Sequence, residues 1–555
     1  MLSRINLYMF SLLLTLLGVI GFIISAKELI HVSGLLLLSI LFMIIPATLI
    51  ALNWDTCHLT KIQSLSLVII PLIFLNYIYH IVMVLPVGFS DVHFHILQCL
   101  RLVNVDGVIQ FSERLSFNFV SLYLVFYFLM AASNLDISTL ASLIPPIFNL
   151  ILIFTVYLLV NKLHSHEIAL IAMMLYGWEN QVLLFGHEMR TQTLGVLLLF
   201  IALVFEFSNF KKLIPNTILI IILFSSVMTS FVSVFSTYII FLVMLVTSII
   251  LYFVLKWPEN VSRITWRFLG LYTITFMSYI MYISGGFEYI IDSIVILYNQ
   301  MTANVEATEF SGSQLVQSTG QTMYGDFVKI STYVFWSLFL LFSIFYAAMI
   351  INKKKSANLK FFVSFSILLF YTFFNTFFEG VLSAGRLYTI AFTVIATVIA
   401  FGLFKLQDIT KKTQFKYTGK ILAISLILVF VISSTVKLPN YIIGETNPIR
   451  SEALIDSVSY WDSDIPQYSV GEFLSSYAPN QSLIIYTFVE NYILLQQRMK
   501  NSIGQGKLSI LHDKFHGECY TYRDQLPESQ MFEGLDKIYS NTDYIIFKER
   551  VEKSY

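Results

Sequence analysis

"IPPIFNLILIFTVYLLVNKLHSHEIALIAMMLY", Ile144 to Tyr176, decides what kind of fold this chain can have. The apolar run stops at Asn161 and Lys162 and resumes after Glu167. A helix rises 1.5 Å per residue, so about twenty apolar residues span the ~30 Å hydrocarbon core of a bilayer. The stretch therefore reads as the end of one membrane span, 137–160, a short basic turn, and the start of a returning span, 167–184. Pro145 and Pro146 fit a helix start or a kink, because proline in a first turn costs no internal hydrogen bond.

The pattern repeats along the chain. Of its 555 residues 57% are hydrophobic and 12% charged, and the apolar residues fall into runs of span length, which predicts an all-α polytopic membrane protein. The other runs are 8–27, 33–53, 63–83, 192–209, 214–229, 232–255, 265–284, 329–350, 359–378, 387–405 and 420–437, giving thirteen spans in all. A further run, 116–133, reads as re-entrant or surface-lying. With it outside the count, Lys61, Lys162, Lys211 with Lys212, Lys256 with Arg263 and Arg267, Lys353 to Lys355 with Lys360, and Lys405 with Lys411, Lys412 and Lys416 all fall on one side. The positive-inside rule makes that side the cytoplasm of a plasma-membrane protein. The N-terminus is then inside, with 8–27 a retained helix that also targets the chain, and residues 438–555 are outside. Cys57, Cys99 and Cys519 have neither disulfide-scaffold nor metal-cluster spacing.

The outward connections carry the unusual polar chemistry. They are 84–136, the "GHEMR" turn at Gly186 to Arg190, the acidic 285–328 loop, and "EGVLSAGRLY" at Glu379 to Tyr388. From about Pro439 the chain turns polar. There "QSLIIYTF" and "DYIIFKE" read as strands with "ENYILLQQRMKNSI" a helix between them, predicting a small extracytoplasmic α/β domain. Basic tracts such as Lys353 to Lys355 read as topology anchors, and nothing supports nucleic-acid binding.

Asp91 follows the third span in "GFSDVHFH". A carboxylate there can act as general base toward an incoming hydroxyl, hold a divalent metal, or simply cap a helix. His93 lies at i+2 from it and His95 at i+4, so both are candidate ligands beside Asp91, or plain interfacial anchors. In "WENQVLLFGHEMRTQTLG", Glu188 and Arg190 stand between two spans with His187 beside them. Arginine suits phosphate because its planar fork supplies paired donors and keeps its charge, whereas an exposed Glu188–Arg190 pair would be worth little. Arg386 begins a span, where it could contact a phosphate or snorkel to headgroups. An outward acid with two outward arginines suits a reaction on a phosphate-bearing lipid.

On "GFSDVHFH", "FGHEMRTQTLGVLLLF", "GRLY" and the two-span run through Ile144 to Tyr176, the chain resembles the GT-C superfamily, multi-spanning glycosyltransferases that use polyprenyl-phosphate sugars. The resemblance covers 63–437 in outline. It implies two additional N-terminal helices in 1–62, a GT-C-like catalytic core in 63–437, and an outward domain in 438–555. It implies Asp91 as catalytic acid site, Glu188 as a second one, and Arg190, Arg386, His93, His187 and Tyr388 around substrate and phosphate. No cofactor is required by it, and a divalent metal at Asp91, His93 and His95 is a candidate. The implied partners are a polyprenyl-phosphate sugar donor, a glycan, lipid or protein acceptor, and membrane lipids. Two departures stand out: the first outward acid follows the third span rather than the first, and no Asp-Glu or Asp-x-Asp pair accompanies it.

Two rival readings remain beside this one. A lipid-linked polysaccharide polymerase or ligase fits a large late outward loop, but 285–328 supplies no arginine for a pyrophosphate. A transporter should carry ionisable residues or broken helices near the bilayer midplane, in repeated halves, and no internal repeat is evident.

Overall fold

The computed structural model describes residues 2–26, 33–52, 59–82, 95, 99, 120–135, 137–186, 189–208, 213–257, 266–281, 323–377, 384–411 and 418–436, with strand residues 483–486, 502–505, 519–524, 535–540 and 544–549. In chain order the helices are α1 (Leu2–Ala26), α2 (Ser33–Leu52), α3 (Lys61–Val82), α4 (Ser121–Ser133), α5 (Ile137–Leu163), α6 (His166–Gly177), α7 (Asn180–Gly186) and α8 (Thr191–Glu206). They continue with α9 (Leu213–Val227), α10 (Phe231–Ile249), α11 (Trp266–Tyr279), α12 (Met323–Asn352), α13 (Ser356–Phe377), α14 (Ala384–Lys411) and α15 (Thr418–Val436). A π-helical turn, Ile250–Val254, prolongs α10.

Among the described residues six helices are long and apolar enough to cross a membrane: those at Leu7–Ile24, Thr139–Leu163, Phe231–Val254, Ile330–Asn352, Ser356–Phe374 and Arg386–Thr410. The chain is a multi-pass membrane protein. Helix α4 has 13 residues, about 20 Å of rise, short of a full crossing. The 167–184 run, read as one span, is two helices: α6 ends at Gly177, Trp178 donates to Met174 O, Glu179 donates to Tyr176 O, and α7 restarts at Asn180. Gly177 permits a close approach, since a Cβ there would lie 2.6 Å from a Leu72 methyl of α3.

The chain forms two compact units, one of Met1–Val82, Phe111–Leu122 and Leu143–Ile455, the other of Met83–Gln110, Tyr123–Ser142 and Asp456–Tyr555. In the first, α14 is the axis. It packs against α6, α7, α10, α12, α13 and α15, and 89% of its span is buried, against 22% for α12. Phe392 of α14 sits among Tyr176, Phe335, Tyr388 and Phe430. Outward from that axis α12 exposes Leu340, Ile344 and Phe345, as a lipid-facing helix should.

Buried polar pairs fasten helices at the ends of this bundle. His166 has both ring nitrogens occupied, Nδ1 by the Tyr157 hydroxyl and Nε2 by Ser64 Oγ, joining α3, α5 and α6. His164 Nε2 lies 2.7 Å from the Tyr346 hydroxyl and 3.0 Å from Asn358 Nδ2, joining the α5–α6 link to α12 and α13. Between α12 and α13, Lys354 adopts φ 50°, Lys355 N–H donates to Ile350 O and Lys354 N–H to Ile351 O. This is the two-bond Schellman ending of a helix, with lysine at the left-handed position.

The second unit holds a five-stranded sheet in the order β2-β1-β3-β5-β4, where β1 is Leu483–Tyr486, β2 Ser502–Gln505, β3 Cys519–Asp524, β4 Leu535–Ser540 and β5 Tyr544–Glu549. Strand β1 runs parallel to β2 and β3, while β5 is antiparallel to β3 and β4, with a register shift between Lys537 and Tyr539. Strands β1 and β5 lie within the two stretches read as strands from sequence. The end of the stretch read as helix, Ser502 and Ile503, belongs to β2 instead, where both pair with β1. The rest of that stretch lies outside the described residues.

Candidate functional site

The first turns of α8 and α14 meet. Helix α8 is entered through Arg190, whose extended backbone (φ −128°, ψ 138°) makes it the N-cap without a side-chain cap, and Thr193 N–H donates back to Arg190 O. Arg190 is buried, with 7% of its surface exposed. Two residues on, Gln192 reaches across to α14, where its Nε2 donates to the backbone carbonyl of Arg386 at 2.9 Å. The same carbonyl accepts from Thr389 Oγ1 at 2.8 Å. Arg386 and Tyr388 are half-buried in the opening turns of α14, with Tyr388 packed on Phe392 at a centroid distance of 5.5 Å. The two arginines picked out separately from sequence thus stand on helix starts joined by one hydrogen bond.

Glu179 completes the described part of this region. It occupies the break between α6 and α7, is buried, accepts from Leu183 N–H through its carbonyl, and is an electrostatic neighbour of Tyr388. Sequence reading passed over it in favour of Glu188. The signal was available: an acid inside an apolar run is a functional-site candidate in a membrane protein, because its burial is expensive.

Beneath the turn, α7 is held by an asparagine ladder. Asn149 Nδ2 of α5 donates to Asn76 Oδ1 of α3 at 2.6 Å and to Val182 O of α7 at 3.3 Å, while Asn76 Nδ2 donates to Leu72 O. Gly186, the last residue of α7, leaves room for this amide: a Cβ there would fall on the Asn149 side chain. Gly195 of α8 is equally constrained, since a Cβ would meet Thr229 Oγ1 at 2.5 Å. Glycine at both positions is therefore a packing requirement of the helices that carry the turn.

Asp91, His93, His187 and Glu188 lie outside the described residues. His95 is described and buried, and its Nδ1 is 2.8 Å from the Tyr123 hydroxyl, so one of the two ring nitrogens offered to a metal is given to a phenol instead. Cys99, four residues further along the chain, is a buried free thiol whose pKa burial pushes up, which makes it a poor thiolate ligand. Among the described residues no three His, Cys, Asp or Glu side chains come together as a metal-holding group.

No family model and no curated protein sequence matches the chain. Similar solved structures include the Archaeoglobus fulgidus oligosaccharyltransferase AglB in complex with an inhibitory peptide and a dolichol-phosphate, at 10% identity and TM-score 0.49 over 87% of this chain and 69% of that one. The same archaeal enzyme complexed with Zn and sulfate aligns with TM-score 0.48, again at 10% identity, over 87% and 68% of the two chains. ArnT from Cupriavidus metallidurans bound to undecaprenyl phosphate aligns at 10% identity and TM-score 0.48, over 84% of this chain and 94% of that one.

Proposed function

We propose that this chain is a membrane glycosyltransferase that moves a sugar from a polyprenyl-phosphate donor to an acceptor hydroxyl on the extracytoplasmic side. The observation that carries the reading is the Gln192–Arg386 hydrogen bond, which sets two arginine-bearing helix starts side by side. A lipid phosphate needs fixed positive charge and directional donors near the membrane surface, and two guanidinium groups supply both. In this reading 63–437 is the catalytic core, 1–62 adds two spans, and the 438–555 tail is an extracytoplasmic α/β domain.

Asp91 is the general base. As the acceptor oxygen attacks the anomeric carbon its proton passes to the Asp91 carboxylate, the carbon–oxygen bond to phosphate breaks, and the lipid phosphate departs with the bonding pair. One displacement inverts the anomeric centre. Arg386 and Arg190 meet the phosphate charge as it grows, so their contribution is largest where charge develops. Glu188 orients the acceptor, and His93, His187 and Tyr388 line the substrate.

Transfer kinetics on purified full-length protein with matched polyprenyl-phosphate sugars test the assignment. Asp91→Asn should insert normally and lower turnover by about 10²-fold or more, the scale of losing general-base assistance. Arg386→Ala should raise the donor KM if the contact exists in the ground state, or lower kcat if it strengthens only as phosphate leaves. Parental kcat and KM in both folded variants would sink the site, and solute flux without glycosyl transfer would replace the enzyme reading with a transporter.

A further inference from the structure

We propose that Gln192 is a positioning residue that sets where Arg386 stands for a lipid phosphate; the inference rests on the phosphate-clamp reading of Arg386 and Arg190. The chemistry of the bond fixes the orientation of the amide. A backbone carbonyl can only accept, so the Gln192 nitrogen must face Arg386 O and its oxygen must face the other way. Gln192 is 5% exposed, and its Oε1 has no protein partner among the described residues. Gln192 also lines a small cavity of about 20 Å³ whose polar lining includes Asn149, Tyr176, Thr193 and Thr389. The Tyr176 hydroxyl, near Thr393, is buried at the same cavity. The cavity is large enough for one bound water.

An amide spanning two helices in this way acts on position rather than on substrate. Its nitrogen holds the first turn of α14, and Ser233 Oγ of α10 donates to the backbone carbonyl of Gln192 at 3.4 Å, so α8, α10 and α14 are tied at one residue. Leucine at 192 would fill a similar volume while removing both the donor and the unsatisfied acceptor. The bundle then keeps its packing and α14 loses its tether. Guanidinium–phosphate pairing is directional, so a small displacement of that turn is felt as lost affinity.

The test uses full-length protein in nanodiscs and undecaprenyl phosphate as the probe, in a cycle of parent, Gln192→Leu, Arg386→Ala and the double variant. Ser331→Ala is the control for generic loss of a buried interhelical bond, because Ser331 Oγ donates to Ser433 Oγ between α12 and α15. Gln192→Leu should weaken binding about 10-fold and raise amide hydrogen exchange in the first turn of α14, while Ser331→Ala changes neither. In the Arg386→Ala background Gln192→Leu should add nothing, because its effect passes through that arginine. Parental affinity in Gln192→Leu, equal losses in both backgrounds, or the same loss in Ser331→Ala would overturn the proposal. If the parent itself fails to bind undecaprenyl phosphate, the lipid-phosphate reading is refuted, and unchanged exchange in Gln192→Leu would then also refute the tether.

Discussion

At His164 one ring nitrogen, Nε2, lies within hydrogen-bond distance of both the Tyr346 hydroxyl and the Asn358 amide nitrogen. Burial, with the Lys355 charge beside it, lowers this pKa from 6.5 to about 3. The consequence for stability has a definite sign. Between pH 6.5 and 3 the unfolded chain binds a proton that the folded chain refuses, so stability is full above pH 6.5 and falls as the pH drops toward 3. At pH 4.5 the loss from this one ring is about 2–3 kcal/mol. His164→Gln keeps an acceptor and cannot titrate in this range; its thermal unfolding should be less pH-dependent than the parent's between pH 7 and 4.5, and equal slopes would remove His164 from the account. The same scale shows what a sequence hides. Arg190 and Arg386 stood out in the sequence as cations at helix starts, but Gln192 did not, since an uncharged amide 194 residues from its partner leaves no local trace. Glu179 was overlooked for the opposite reason, because the apolar run around it reads as one span.

Elements were legible where length and composition decide them. Span-length apolar runs sit over α1, α5, α10, α12, α13 and α14 because a bilayer core demands them. Breaks inside such runs are set by packing and capping, which periodicity does not record: α6 stops at Gly177 with no proline to announce it. The end of α12 is another case. Lysine at the left-handed position of its closing turn costs conformational energy that glycine would not, because Cβ crowds the following carbonyl. Lys354→Gly should therefore raise stability by about 1 kcal/mol, read as an upward shift in Tm, provided Lys353 and Lys355 still anchor the loop. A lower Tm would mean that the lysine side chain contributes more than the strain costs.

For the whole molecule the arrangement of charge fixes a direction that helices alone do not. The basic residues Lys162, Lys353 to Lys355 and Lys360 cluster at one set of helix ends, predicting a cytoplasmic location for that side. A cysteine introduced at Ser313 should react with an impermeant thiol reagent applied from outside to intact cells, and one at Ser356, which opens α13, should not. The reverse pattern would invert the protein and place its arginine-bearing turn in the cytoplasm.

Helix α14, enclosed along nearly its whole length, also constrains how the protein is made. Helices α6, α7, α10, α12 and α13 precede it in the chain and α15 follows, so most of its neighbours are translated before it emerges from the ribosome. Until then the nascent bundle carries a slot bordered by Tyr176, Phe335 and Tyr346, aromatic side chains that pack on α14 in the finished protein. Completion of the slot and delivery of Arg386 are one event, because the helix that fills the centre carries the arginine in its first turn. Chains halted before this segment therefore lack both the central helix and Arg386.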